Sequence, residues 1–298
     1  MRTVIAAVAT LFLLAPVPLQ GWGVDVHRYI TRRALDNLPP ELRPFFASHR
    51  EFIAEHSVDP DMWRAVGLRG ELGEEDPNHF LDIDGLDDAR PFANVPRDWK
   101  AYLDKYGLER ANRMGRLPWR TEEIYRLLVA RFRDLAKPTP GYAADNARYL
   151  TAVLAHYVED AHVPFHAVMN HDGQLTGQRG IHSRFETEAV LRSLKTLKLT
   201  PVTIQPVTNI REFVFEKLIE GETLVAAVLD ADRKATAGRE FYDEGYFVPF
   251  TNHVRPIIEK RVSQAASGVA SVIVSAWIEA GKPVLPVKVV RPPARIVR

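Results

Sequence analysis

The sequence predicts an all-α protein, a single multi-helix domain, on two observations. Apolar residues recur at helical intervals through most of the 298 residues, the repeat that gives a helix one buried face, while alternating strand patterns are scarce. No internal repeat or low-complexity linker divides the chain, so the helices are expected to share one domain. In order, helices are predicted over residues 27–38, ahead of Pro39 and Pro40, then 41–55, 97–106, 121–137, 142–160, 182–197, 210–229 and 252–280. The last contains a small-residue-rich run at 267–276 that then meets Glu279, which reads as a buried helix. Loops are predicted at 82–95, rich in Asp, Gly and Pro, and at 169–180, which carries Asn170, Gly173, Gly177 and Gly180. A site held between helices follows.

The ends of the chain read differently from its middle. Residues 1–21 open with Arg2, stay uncharged over 4–19 and hold an apolar core at 4–14, the plan of a secretory signal peptide. A cut after Gly21 puts a small residue at the last position, with Leu19 two before it. The expected organisation is a signal peptide at 1–21, the helical domain at 22–281 and a Pro/basic tail at 282–298 trailing outside the core. Export to the periplasm or the medium follows from the first segment, and nothing else looks able to span a bilayer. The whole chain carries a formal charge of +1, and removing Arg2 with the signal leaves the remainder neutral. Bulk charge therefore does not steer a polyanion. There are no cysteines, which removes both disulfides and thiolate ligands, so any metal must be held by His, Asp, Glu and main chain.

The residues for such a site are present. His156 and Asp160 stand four apart, as do His182 and Glu186, so on a helix each pair projects from one face and can bind a single cation. His166 follows past Pro164, on a turn that cannot continue the first helix. Asp61, after Pro60, and His79, beside Phe80, are weak candidates alone. A turn or cap is the ordinary reading of such an Asp, and packing of such a His.

The opening Trp22-Gly-Val-Asp-Val-His27 changes their weight. Here the chain resembles the secreted zinc-dependent phospholipase C family and its relatives, the zinc-dependent single-strand nucleases. Those families begin, after signal removal, with a tryptophan whose amine and carbonyl bind zinc, followed closely by a histidine ligand; Trp22 and His27 match. Asp61 matches their Asp-x-x-Arg segment, His79 their His-Phe-x-Asp, His156 and Asp160 their His-x-x-x-Asp, and His166 the histidine beyond their proline. His182 and Glu186 match the closing His-x-x-x-Glu of the phospholipases, where the nucleases usually carry Asp.

The resemblance implies three zinc ions in one site between helices. One is held by Asp61, His79, His156 and Asp160, a second by the Trp22 main chain, His27 and the shared Asp160, and a third by His166, His182 and Glu186. It implies a phosphodiester hydrolase of phospholipase C type using metal-activated water, with a single-strand nuclease as the alternative and a non-catalytic zinc protein as a third class. The substrate is then a phospholipid head group or single-stranded nucleic acid, with no obligate protein partner. Asp61 is the candidate to orient or deprotonate the water, and Arg64 to meet a phosphate oxygen. Phe80 and Asp82 are candidates to contact substrate. Glu159 reads as solvated, His162 and His171 as supporting or loop residues, and Trp63, Trp99 and Trp119 as core or rim packing.

Overall fold

Buried apolar stripes decide where the helices lie. The computed structural model describes residues 22–65, 75–87, 89–138 and 140–287; the expected signal peptide and the end of the basic tail lie outside these. Helix α1 (Val24–Asp36) buries Val26, Ile30, Ala34 and Leu35 on one face. The helix predicted over 41–55 is two pieces, α2 (Arg43–Ala47) and α3 (Arg50–His56), because the chain leaves helical geometry at His49 (φ −127°, ψ 18°). Phe45 and Phe46, packed edge to face, are both buried beside that break. Helix α4 (Asp59–Ala65) takes up the segment read as a turn, placing Asp61 in its first turn.

Helix α5 (Trp99–Met114) runs well past the predicted end, crossing Gly107 at φ 74°. The Asp98 side chain caps it by accepting from the Ala101 N–H at 2.9 Å. Helix α6 (Leu117–Leu135) starts earlier than predicted, since Pro118 sits in its first turn, where no N–H is needed. Helix α7 (Ala143–Asp160) is the central element, buried along most of its length and packed on α6, α3, α1 and the last helix of the chain. The segment predicted as one helix over 182–197 is instead a chain of short turns. These are α8 (Ile181–Ser183), a π-turn (Arg184–Ala189), α9 (Val190–Ser193) and a 3-10 turn (Leu194–Thr196). Helix α10 (Ile210–Thr236) is capped by Asn209, and α11 (Glu244–Glu279) by Asp243. Helix α11 starts before the predicted residue 252 and carries Pro249 and Pro256 inside it; burial of Phe247, Phe250 and Val254 outweighs the lost bonds.

Two devices hold the long helices in place. Arg261 of α11 is fully buried, and its guanidinium donates to the carbonyls of His162 (2.7 Å), Ala161 (3.2 Å) and Lys217 (2.8 Å). It thereby caps the negative end of α7, with Glu220 of α10 at 3.1 Å as its counter-charge. Between α9 and α10 the chain crosses α11 as an extended strap. Its N–H groups at Thr200, Thr203, Gln205 and Val207 donate to the hydroxyls of Ser263, Ser267, Ser271 and Ser275, at 2.8 to 3.1 Å.

The small-residue run 267–276 is a helix within α11 with most of its residues buried, as predicted. No helix among the described residues is long and apolar enough to cross a membrane. The tail departs from expectation at its start. Leu285 is buried and the Trp277 indole donates to the Pro283 carbonyl at 2.9 Å, so the chain stays docked beyond α11. Apolar Leu285 finds a core site, which the basic composition of the tail as a whole obscures.

Candidate metal centre

The C-terminal end of α7 presents His156 and Asp160, one turn apart and both fully buried. Pro164 then opens a 3-10 turn that carries His166. This turn is stitched to the strand-like segment bearing His79. The Leu81 N–H donates to the His166 carbonyl at 2.9 Å, and the His79 carbonyl lies 2.6 Å from His166 Nδ1. On its other side the segment bonds to the junction of α5 and α6 through Asp82 N–H to Met114 O (2.7 Å) and Leu117 N–H to Phe80 O (3.1 Å). Gly115 makes that approach possible: its φ is 93°, and a Cβ there would lie 2.1 Å from the Phe80 carbonyl oxygen.

His79 Nδ1, His156 Nε2 and Asp160 Oδ2 form a triangle with edges of 2.9, 3.0 and 3.1 Å. Asp61 Oδ1 stands 3.8 Å from the first and 4.0 Å from the second. Tetrahedral zinc with bonds of about 2.0–2.1 Å separates its ligands by about 3.3 Å, so these four atoms fit one ion. The other oxygen of Asp160, Oδ1, is 3.6 Å from His27 Nε2, and both atoms are buried without a hydrogen-bond partner. Facing orphaned acceptors are what a second cation satisfies. His27 also stacks on His156, with ring centroids 4.3 Å apart. Trp22 is fully buried beside it.

The third group lies across Asp160. His182 Nε2 is 2.8 Å from Glu186 Oε2, and His166 Nε2 is 3.9 Å from the same oxygen. The π-turn begins between His182 and Glu186, so their approach does not rest on a regular α-helical turn. His166 Nδ1 sits 3.7 Å from Asp160 Oδ1, joining this group to the pair.

Burial decides the protonation of the cluster. It pushes His79 and His166 down to about 3 and His182 to about 4, and holds His27 well below its ordinary value, leaving imidazole lone pairs free to ligate. At His156 burial is overcome by Asp160 and Asp61, which raise it. Asp160 is held well below the carboxylate range by His156 and His166 against the cost of its burial, while burial lifts Asp61 to about 6.

A cavity of about 170 Å³ opens on the cluster, lined by Arg64, Asp76, His79, Phe80, Phe165, His166, His171 and His182. Arg64 Nη2 donates to Asp61 Oδ1 at 2.9 Å. Of the two candidate substrate contacts, Phe80 lines the cavity. Asp82 is not among its lining residues: it is buried, and that burial with Asp84 and Asp76 nearby pushes it up to about 8. His171 lines the cavity beside His182, whereas His162 points away into the core and bonds the Val158 carbonyl. Trp99 and Trp119 stack with Tyr102, and Trp63 packs on the core.

One expectation fails. Glu159 is not solvated but fully buried, with Oε2 2.5 Å from His27 Nδ1 and Oε1 accepting from the Thr31 hydroxyl at 2.7 Å. Its carbonyl accepts from the Trp22 indole at 2.9 Å. Reading α7 as a helix with one buried face hid this, because α7 is enclosed on all sides near its end. The nearly unbroken apolar run Ala152-Val153-Leu154-Ala155, followed by Tyr157-Val158, was the available signal that this end of α7 is enclosed.

The family model for zinc dependent phospholipase C matches residues 26–231, more than half of the chain. No curated protein matches it. Among solved structures it is similar to the alpha-toxin of Clostridium perfringens, avian strain SWCP. That match has 13% identity and a TM-score of 0.51, over 87% of this chain and 64% of the toxin. It is also similar to the alpha toxin of Clostridium absonum, at 17% identity and a TM-score of 0.47, over 86% of this chain and 63% of that one. The chain thus spans less than two thirds of either toxin, and the perfringens likeness is one of fold. With a matching family model laid over α1 to α10 and the ligand groups assembled inside it, the chain belongs to the zinc-dependent phospholipase C family.

Proposed function

We propose that the chain is an exported zinc-dependent phosphodiesterase of phospholipase C type, hydrolysing the phosphate ester of a phospholipid head group. What supports this most is the convergence of His27, Asp61, His79, His156, Asp160, His166, His182 and Glu186, from segments far apart in sequence, beside a small cavity lined by a guanidinium. Three zinc ions are the proposed complement, divided among these residues as the resemblance implies. Bound there, zinc would acidify a water from a pKa of 15.7 toward about 7 and neutralise charge on phosphoryl oxygens. The protein's own part is placement. Asp61, held by Arg64, orients the attacking water and takes its proton. Arg64, which lines the cavity, would meet a phosphate oxygen of the bound substrate. Phe80 and Phe165 give the cavity an apolar wall against the rest of the substrate.

Ligation by a Trp22 amine requires cleavage of the bond before it, which couples export to metal loading. N-terminal sequencing of secreted protein should begin at Trp22; a start at Gly23, or at any residue before Trp22, removes the amine from the ligand set. Purified zinc-loaded protein should hydrolyse phosphatidylcholine and bis-p-nitrophenyl phosphate. A preference for single-stranded DNA would move the substrate to nucleic acid, and inertness toward all three with zinc bound would leave the metals a structural role.

A further inference from the structure

We propose that Glu159 is a positioning residue that fixes the tautomer and orientation of His27 and so sets the affinity of one metal position; this rests on the reading of His27 as a ligand. The argument is geometric. His27 has two ring nitrogens, and the fold treats them differently: Nδ1 lies 2.5 Å from Glu159 Oε2, while Nε2 is buried, has no hydrogen-bond partner and faces Asp160 Oδ1 at 3.6 Å. In the tautomer we assign, His27 Nδ1–H donates to Glu159 Oε2, which leaves the lone pair on Nε2, directed at the cluster, and raises the basicity of the ring.

Glu159 is itself immobilised. Its Oε1 accepts from Thr31, one helical turn after His27 on α1, so one carboxylate grips that face of the helix at two points. The indole of Trp22 bonds its carbonyl, which ties the first described residue to the same place. A buried acid spanning α1 and α7 with no cationic side chain among its bonding partners is costly as structure alone, since its desolvation goes uncompensated by a salt bridge with lysine or arginine. Two of the other ligand histidines obtain such an orientation from main chain: His156 Nδ1 lies 2.8 Å from the Ser57 carbonyl, and His166 Nδ1 2.6 Å from that of His79. In α1 the ligand lies on a helix whose own carbonyls are occupied, and a side chain from α7 supplies the acceptor.

The test is zinc affinity and stoichiometry, measured by competition with a chromophoric chelator, for wild type, Glu159→Gln, His27→Ala and the double variant. Glu159→Gln should weaken one zinc equivalent about 10- to 100-fold and leave the others in place. In the His27→Ala background the same substitution should add nothing, because it acts through that ring. An unchanged affinity in Glu159→Gln, or a loss that adds fully to that of His27→Ala, overturns the proposal. A wild type that binds no zinc refutes the metal centre itself, a different result. Should Glu159→Gln not fold, ¹⁵N NMR of zinc-loaded wild type decides: protonated Nδ1 on His27 is expected, and protonated Nε2 overturns the assignment.

Discussion

Asp160 spends both its oxygens in different directions, Oδ2 toward His79 and His156 and Oδ1 toward His27 and His166. On the proposed division of zinc, Asp160→Asn should therefore release two ions together, whereas Glu186→Gln should chiefly weaken the group at His166 and His182; zinc analysis of the dialysed variants checks both. Full occupancy in Asp160→Asn would remove the bridging role. At this scale the sequence was legible wherever ligand spacing is local, as in His156 with Asp160 and His182 with Glu186. It was legible for Asp61 and His79 only through the family resemblance, since each depends on contacts far along the chain. Glu159 was misjudged because a charged residue carries no mark of being enclosed by elements that arrive from elsewhere.

Among the elements, the junction between α5 and α6 and the C-terminus of α7 carry the most consequence for the centre. Gly115→Ala must place a Cβ at 2.1 Å from the Phe80 carbonyl, in a backbone region alanine avoids, so the segment bearing His79 has to move. A loss of at least about 2 kcal/mol in chemical denaturation is expected, with weaker zinc binding alongside it. Arg261→Met removes the cap on α7 and leaves buried carbonyls at its end unpaired, while Glu220 keeps Lys260 and Gln264; a cost of about 1–3 kcal/mol is expected in the same measurement. At Glu220 the cost of burial is outweighed by hydrogen bonds from Gln264 and Lys260 and by the charges of Arg261 and Lys260, which bring it down to about 2. A carboxyl depressed in the fold contributes stability above its unfolded value, near 4.5, and loses it as pH falls toward 2. Glu220→Gln should thus lower the melting temperature at pH 7 and leave it close to wild type near pH 2. Periodicity located the long helices but misplaced breaks and ends. The gap at His49, the π-turn after His182 and the early start of α11 through Pro249 are all settled by packing rather than by propensity.

For the molecule as a whole, the all-α class was readable from periodicity because every long apolar repeat is helical, while the arrangement of those helices was not. The order in which α1, α4, α7 and the 181–193 turns meet is fixed by contacts between positions separated by dozens of residues. The strap over α11 shows how such an arrangement can be made unique. Four residues of helix advance about 6.0 Å and two residues of extended chain about 6.6 Å, so hydroxyls on every fourth position of one meet amides on every second position of the other. Thr203, Gln205 and Val207 keep that beat against Ser267, Ser271 and Ser275. The two segments engage like the scales of a vernier: sliding the strap by one residue would turn its amides away from all three hydroxyls at once. The starting point of α10, and with it the placement of Glu220 against the guanidinium that caps α7, is thereby set by a row of serines on α11.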